Sequence, residues 1–165
     1  MKKETYIKLM DYLKSRKTLF SFISFLYTFL PIVVFVSYPL IIVIKWLEKG
    51  LTEDFLLTII VPAVTLIGVY VMRKLINKPR PYEKFETNSL IAKNKKAQSF
   101  PSNHAACGFV IAMTAASLNI WLFSALILIA FIIALTRIFA GVHFIVDVLA
   151  GVCIGLLMGS IFLFI

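Results

Sequence analysis

The chain has 165 residues, 61% of them hydrophobic and only 15% charged, with a formal net charge of +9. That composition excludes an ordinary soluble domain, and continuous apolar runs of about 20 residues without period-two alternation argue against a membrane β-barrel. Nucleic-acid binding is disfavoured by where the charge falls, in two clusters beside apolar runs, where basic side chains meet anionic lipid headgroups or set topology.

Residues 1–18 carry Lys2, Lys3, Lys8, Lys14, Arg16 and Lys17, with Tyr6, Leu9, Met10 and Leu13 recurring between them at helical spacing. The pattern predicts an amphipathic helix lying in the membrane interface, its lysines in the headgroup layer; a frayed basic tail is the alternative. Residues 19–165 are expected to form one transmembrane domain. Leu19–Ile44 predicts a first span, a single tilted or kinked helix because Pro31 and Pro39 interrupt it and the run is too short for two crossings. It is also too long for a signal-peptide core and no small-residue cleavage site follows, so no cleavable signal peptide is expected. Lys45–Asp54 reads as a short loop of mixed charge, and Phe55–Met72 as a second span with Pro62 near its middle.

Arg73–Phe100 is the one long polar segment and holds nearly half of the chain's 17 Lys and Arg residues. Its Asn77-Lys78-Pro79-Arg80-Pro81 run cannot continue a regular helix, so an ordered extramembrane loop with a short interfacial helix is expected. Pro101 opens a shorter third span over residues 102–118. Asn119 marks a turn, Ile120–Arg137 a fourth span and Phe144–Ile165 a fifth. The expected fold is therefore all-α: a polytopic membrane bundle of about five spanning helices plus the interfacial helix. Gly151, Gly155 and Gly159 form a small-residue stripe for close helix approach. Cys107 and Cys153 lie in apolar helices without metal-ligand spacing and read as buried small hydrophobes.

After Lys96 the only acidic, basic or imidazole side chains are His104, Arg137, His143 and Asp147. Each ionisable group placed in a bilayer costs about 2.5–3.5 kcal/mol on insertion scales, so four of them predict one shared polar site. Counting spans brings the start of the third, the end of the fourth and the start of the fifth to one membrane surface. There, Pro101 with Ser102 or Asn103 is a helix-start signal, and free amides at a helix N-terminus attract anions. His104 in that first turn is placed to donate a proton to a bound anion; a capping serine beside an incidental histidine is the plainer reading. Asp147, four residues after His143, lies on the same helical face, where a carboxylate would hold the imidazole N–H and free the other nitrogen to attack. A structural Arg137–Asp147 ion pair is the alternative. Arg73, Lys74, Lys78 and Arg80 end the second span on that surface. Such a cluster usually signals topology, but the prolines flanking Arg80 aim a guanidinium suited to phosphate.

Arg73-x6-Arg80-Pro81, then Pro101-Ser102-Asn103-His104, then Thr136-Arg137-x5-His143-x3-Asp147 together resemble the tripartite signature of the type 2 phosphatidic acid phosphatases. That superfamily also includes bacterial undecaprenyl-diphosphatases and vanadium haloperoxidases. Order and spacing match in all three pieces, over roughly residues 55–155. The family usually has Lys where this chain has Arg73, and taking Lys74 instead shortens the spacing by one. Asn103 replaces a common Gly, and Thr136 a common Ser.

The resemblance implies that His143 attacks phosphorus to form a phosphohistidine, oriented by Asp147, and that His104 protonates the leaving group and then activates water. It implies that Arg73 or Lys74, with Arg80, Arg137, Ser102, Asn103 and nearby amides, hold the phosphate. It implies no metal and no cofactor. The substrate it implies is a lipid phosphate or diphosphate. Undecaprenyl diphosphate comes first because the layout resembles the compact bacterial diphosphatases, and phosphatidylglycerophosphate or phosphatidic acid second. A lipid-phosphate binding or translocating protein without chemistry is the alternative from another class; arginines would serve it and the histidines would be superfluous. The expected location is a multi-pass place in the cell membrane. The positive-inside rule puts both basic clusters in the cytoplasm, whereas the resemblance puts the site outside; the outward face is the expectation adopted.

Overall fold

The computed structural model describes residues 2–92 and 96–164. Lys93, Asn94 and Lys95 of the polar segment, and the expected domain ends Met1 and Ile165, lie outside the described residues. The described chain is helical: α1 (Lys3–Ser15), α2 (Lys17–Lys49), α3 (Glu53–Ile76), α4 (Pro81–Lys84), α5 (Asn103–Thr114), α6 (Ile120–Phe139) and α7 (Ile145–Gly159), then a 3-10 turn at Ser160–Leu163.

Helix boundaries follow from local chemistry. Arg16 leaves helical geometry and separates α1 from α2. α2 runs unbroken through Pro31 and Pro39 for 33 residues. That is roughly 50 Å, well over a hydrocarbon core of about 30 Å, so α2 tilts or carries its ends into the headgroups. The Thr52 side chain caps α3, with Glu53 and Asp54 in the first turn where the helix dipole favours them. α3 ends one turn later than expected, at Asn77 in the left-handed conformation, so Arg73 is a helical residue rather than a loop residue. Asn119 caps α6 by accepting from the Trp121 and Leu122 N–H groups.

Four stretches are long and apolar enough to cross a membrane: Lys17–Lys49, Glu53–Lys84, Ile120–Phe139 and Ile145–Leu163. The expected third span differs. α5 has only 12 residues, roughly 18 Å, and continues to Leu118 as turns. It packs chiefly against α7 and α6 and is buried along most of its length, so protein rather than lipid surrounds it. α5 still joins the two ends of the bundle. The Ser102 N–H bonds the Asp147 carbonyl at one end, and Ser117 just beyond α5 bonds Asp54 at the other.

The glycine stripe of α7 lies against α5. A Cβ on Gly151 would sit 2.5 Å from the Ser102 carbonyl oxygen, and one on Gly155 2.6 Å from that of Ala106. Cys107 is half-buried, but Cys153 is exposed on the outside of α7, against the expectation that both are buried. Exposed apolar side chains such as Phe35, Ile67, Leu128 and Leu157 line the outer helix faces, as lipid contact requires.

α1 departs from its expected role. Its apolar face, Tyr6, Met10 and Leu13, is buried against Phe85, Leu90 and Phe144 of the protein itself instead of entering lipid. The Tyr6 hydroxyl donates to the Gly141 carbonyl at 2.9 Å. Burial, with Tyr82 nearby, pushes the Tyr6 phenol up to about 12, which keeps it a donor. Gly141 has φ +72°, and a Cβ there would lie 2.7 Å from both Met10 Sδ and the Tyr6 hydroxyl. The turn between α6 and α7 is thus clamped by α1.

At the far end the expected mixed-charge loop is a sealed network. Lys45, fully buried, donates to Asp54 Oδ1 (2.6 Å), Thr58 Oγ1 (2.9 Å) and Ser117 Oγ (2.8 Å). Lys49 takes the other Asp54 oxygen at 2.9 Å.

Candidate active site

Six of the residues expected at the site wall one cavity of about 200 Å³: Arg73, Arg80, Asn103, His104, Arg137 and His143. Four chain segments deliver them. Arg73 comes from the last turn of α3, and Arg80 from the proline-braced segment that leads into α4. Asn103 and His104 open α5, while Arg137 and His143 flank the turn from α6 to α7. Both histidines therefore face the same small space.

The three guanidiniums are only 7%, 6% and 2% exposed, and each is held by main-chain carbonyls. Arg73 donates to Pro101 O (3.1 Å), and Arg80 to Ala97 O (3.2 Å) and Val142 O (3.3 Å). Arg137 donates to Tyr27 O (3.0 Å), with its guanidinium carbon 3.8 Å from the centre of the Tyr27 ring. Among the described residues no carboxylate lies within ion-pair distance of any of them. Carbonyls orient a guanidinium without cancelling its charge, so three buried positive charges converge on one cavity. An anion satisfies that arrangement.

Two expected phosphate ligands stand elsewhere. Lys74 is exposed, with its ammonium 4.7 Å from the centre of the Tyr70 ring, and is not part of the cavity wall. Arg73 occupies the position that the sequence left open between the two. Ser102 is wholly buried but outside the wall, and it makes no side-chain cap on α5; its Oγ has no partner among the described residues.

The His143–Asp147 pair also differs from expectation. Asp147 Oδ2 lies 3.8 Å from His143 Nδ1, too far for a hydrogen bond. The carboxylate is occupied by other donors: Lys78 Nζ on Oδ1 at 2.6 Å, and the Ser99 hydroxyl (2.5 Å) and Phe144 N–H (3.0 Å) on Oδ2. Ser99 Oγ is in turn 3.4 Å from His143 Nδ1. Asp147 thus pairs with Lys78, not with Arg137 as the alternative reading held. Burial depresses the His143 pKa below the ordinary 6.5, Asp147 works against this, and Arg80 and Arg73 add to the depression. The ring is neutral near pH 7, as a nucleophile must be.

Ser99, Tyr27 and Gln98 belong to this region without having been singled out for it by sequence, and Lys78, expected only as one of the basic residues on this surface, proves to be the partner of Asp147. Lys78 falls among the unspecified positions between Arg73 and Arg80, Ser99 lies two residues before Pro101, and the place of Tyr27 depends wholly on how α2 packs. A second, apolar cavity of about 680 Å³ lies among α2, α3 and α5, walled by Phe35, Tyr38, Pro62 and Ile111 and sharing Leu66, Asn103 and His104 with the charged one. Among the described residues no three of His, Cys, Asp and Glu gather as metal ligands.

A family model described as PAP2 superfamily matches residues 54–165. The Escherichia coli protein named "Putative undecaprenyl-diphosphatase YbjG" is 34% identical over 124 residues, 72% of this chain and 61% of that protein, so the chain spans about three fifths of this relative's length. The crystal structure of Aquifex aeolicus LpxE superposes with a TM-score of 0.73 at 27% identity, covering 96% of this chain and 94% of that one. The first transmembrane PAP2-type phosphatidylglycerolphosphate phosphatase from Bacillus subtilis superposes with a TM-score of 0.58 at 22% identity, covering 96% and 90%, a likeness of fold alone.

Proposed function

The chain belongs to the PAP2 superfamily, and from that premise we propose that it is a membrane phosphatase acting on a lipid phosphate or diphosphate, with undecaprenyl diphosphate as the preferred substrate. The observation that carries the reading is that the two cavities share a wall at Leu66, Asn103 and His104, which sets a charged chamber suited to phosphate beside an apolar one suited to a lipid chain. The undecaprenyl preference rests on the name of the Escherichia coli relative.

In the proposed mechanism, His143 Nε2 attacks phosphorus while Arg73, Arg80 and Arg137 neutralise the equatorial oxygens. The bond from phosphorus to the leaving oxygen breaks, and His104 supplies that oxygen with its proton. In the second step neutral His104 takes a proton from water. The hydroxyl oxygen bonds to phosphorus, the P–N bond breaks, and phosphate leaves with both histidines restored.

The test is phosphate release by purified protein from undecaprenyl diphosphate, phosphatidylglycerophosphate and phosphatidic acid. The expected result is release from all three, fastest from the first, and at least about a thousand-fold loss in His143→Ala, which still inserts in membranes. Lipid binding without release would favour the non-catalytic alternative, and wild-type rates from His143→Ala would remove the mechanism.

A further inference from the structure

We propose that Ser99 is a positioning residue that fixes the tautomer of His143, its hydroxyl bridging the imidazole and the Asp147 carboxylate, which itself lies 3.8 Å from the ring. The proposal rests on the reading of His143 as nucleophile. It follows from counting protons. Ionised Asp147 can only accept, so the 2.5 Å contact uses the single Ser99 hydroxyl proton toward Oδ2. Toward His143 Nδ1, 3.4 Å away, Ser99 Oγ then presents only a lone pair. The ring nitrogen facing it must carry the proton. Nδ1 is therefore N–H, and Nε2 keeps the free pair that attack on phosphorus requires.

Three further contacts hold this arrangement. Asp147 cannot swing onto the ring without losing Lys78 from Oδ1 or the Phe144 N–H from Oδ2. Ser99 is wholly buried, and its N–H donates to the Lys78 carbonyl at 2.9 Å. Lys78, Asp147 and Ser99 thus form a closed loop of contacts, with the serine hydroxyl as the member that reaches the imidazole.

The experiment compares full-length wild type with Ser99→Ala in the same detergent–lipid mixture, measuring kcat and KM on a lipid phosphate. It also records the ring 15N shifts of selectively labelled histidine, with His143 assigned by way of His104→Gln. The expected result is an Nδ1–H tautomer in the wild type, a mixed or reversed tautomer in Ser99→Ala, and a fall in kcat of roughly ten- to hundred-fold with KM within twofold. A serine that merely packs would shift thermal stability and leave tautomer and kcat in place. An Nε2–H ring in the wild type, or Ser99→Ala at wild-type kcat, would overturn the proposal. If Ser99→Ala does not fold, Ser99→Thr, which keeps the hydroxyl, and Ser99→Cys, which does not reproduce its short bond to Asp147, replace it. The first should retain the Nδ1–H tautomer and kcat and the second should lose them, and equal behaviour of the two would overturn the proposal. Turnover by His143→Ala would instead overturn the nucleophile reading, leaving the tautomer to be judged separately.

Discussion

At the scale of single residues, the site is governed by what each charge is allowed to touch. The side chains of Arg73, Arg80 and Arg137 meet neutral carbonyls, whereas the carboxylate of Asp147 is taken up by Lys78. His143 feels both effects, with burial first and then the two arginines disfavouring its cation. Near pH 7 the ring is neutral, and the acid limb of kcat/KM against pH, which reports the free enzyme, should have its midpoint below 6.5. Stability follows the same sign. Unfolded His143 takes up a proton near 6.5 and the folded ring only lower, so between those values the unfolded state holds more protons. The contribution of the ring is complete above 6.5 and is lost as pH falls through the folded value. Thermal midpoints measured across pH 7 to 5 should fall more steeply for wild type than for His143→Gln, and parallel curves would contradict this.

At the scale of elements, the contact between α5 and α7 sets the position of the N-terminus of α5. Adding a Cβ at Gly155 forces α5 and α7 apart at a main-chain oxygen, which overpacks the seam by about 1–3 kcal/mol. Gly155→Ala should therefore lower the thermal midpoint in detergent. Gly68 in α3 has open space where its Cβ would go, and Gly68→Ala should leave the midpoint unchanged or raise it. The α7 glycines were legible from their four-residue spacing, as were α2, α3, α6 and α7 from their apolar length. α5 was legible only as an apolar run, because nothing local tells a helix wrapped in protein from one wrapped in lipid. α1 shows the same limit. Tyr6, Met10 and Leu13 announce an apolar face, but Phe85, Leu90 and Phe144, which cover it, come together only in the folded chain. The histidines and arginines of the cavity stood out because ionisable groups are scarce among apolar residues. Ser99 did not, since a serine at a helix entrance has an ordinary local explanation.

At the scale of the whole molecule, the bundle has two polar ends of unlike character. One gathers α1, the polar loop and the cavity; the other holds Lys45, Lys49 and Asp54. The site end is the strongly basic one, yet Arg73, Arg80 and Arg137 serve the cavity and Lys78 is paired with Asp147, which removes them from any count of topology signals. The basic residues of positions 1–18 remain at that end and by the positive-inside rule still favour the cytoplasm, so the outward face is a proposal carried by the family resemblance alone. A cysteine at Lys96, in a protein lacking Cys107 and Cys153, should react with an impermeant thiol reagent in intact cells; reaction only after permeabilisation would reverse the orientation. The opposite end bears on the site as well. Lys45 belongs to α2, its counter-ion to α3, and its third acceptor, Ser117, to the turn past α5. Ser117 follows α5, so the Lys45 ammonium has its third acceptor only when α5 is docked beside α2 and α3, which ties this knot to the element that opens with His104. A change at Ser117 or Asp54 is thereby felt at the far end of the same short helix, where His104 lines the cavity.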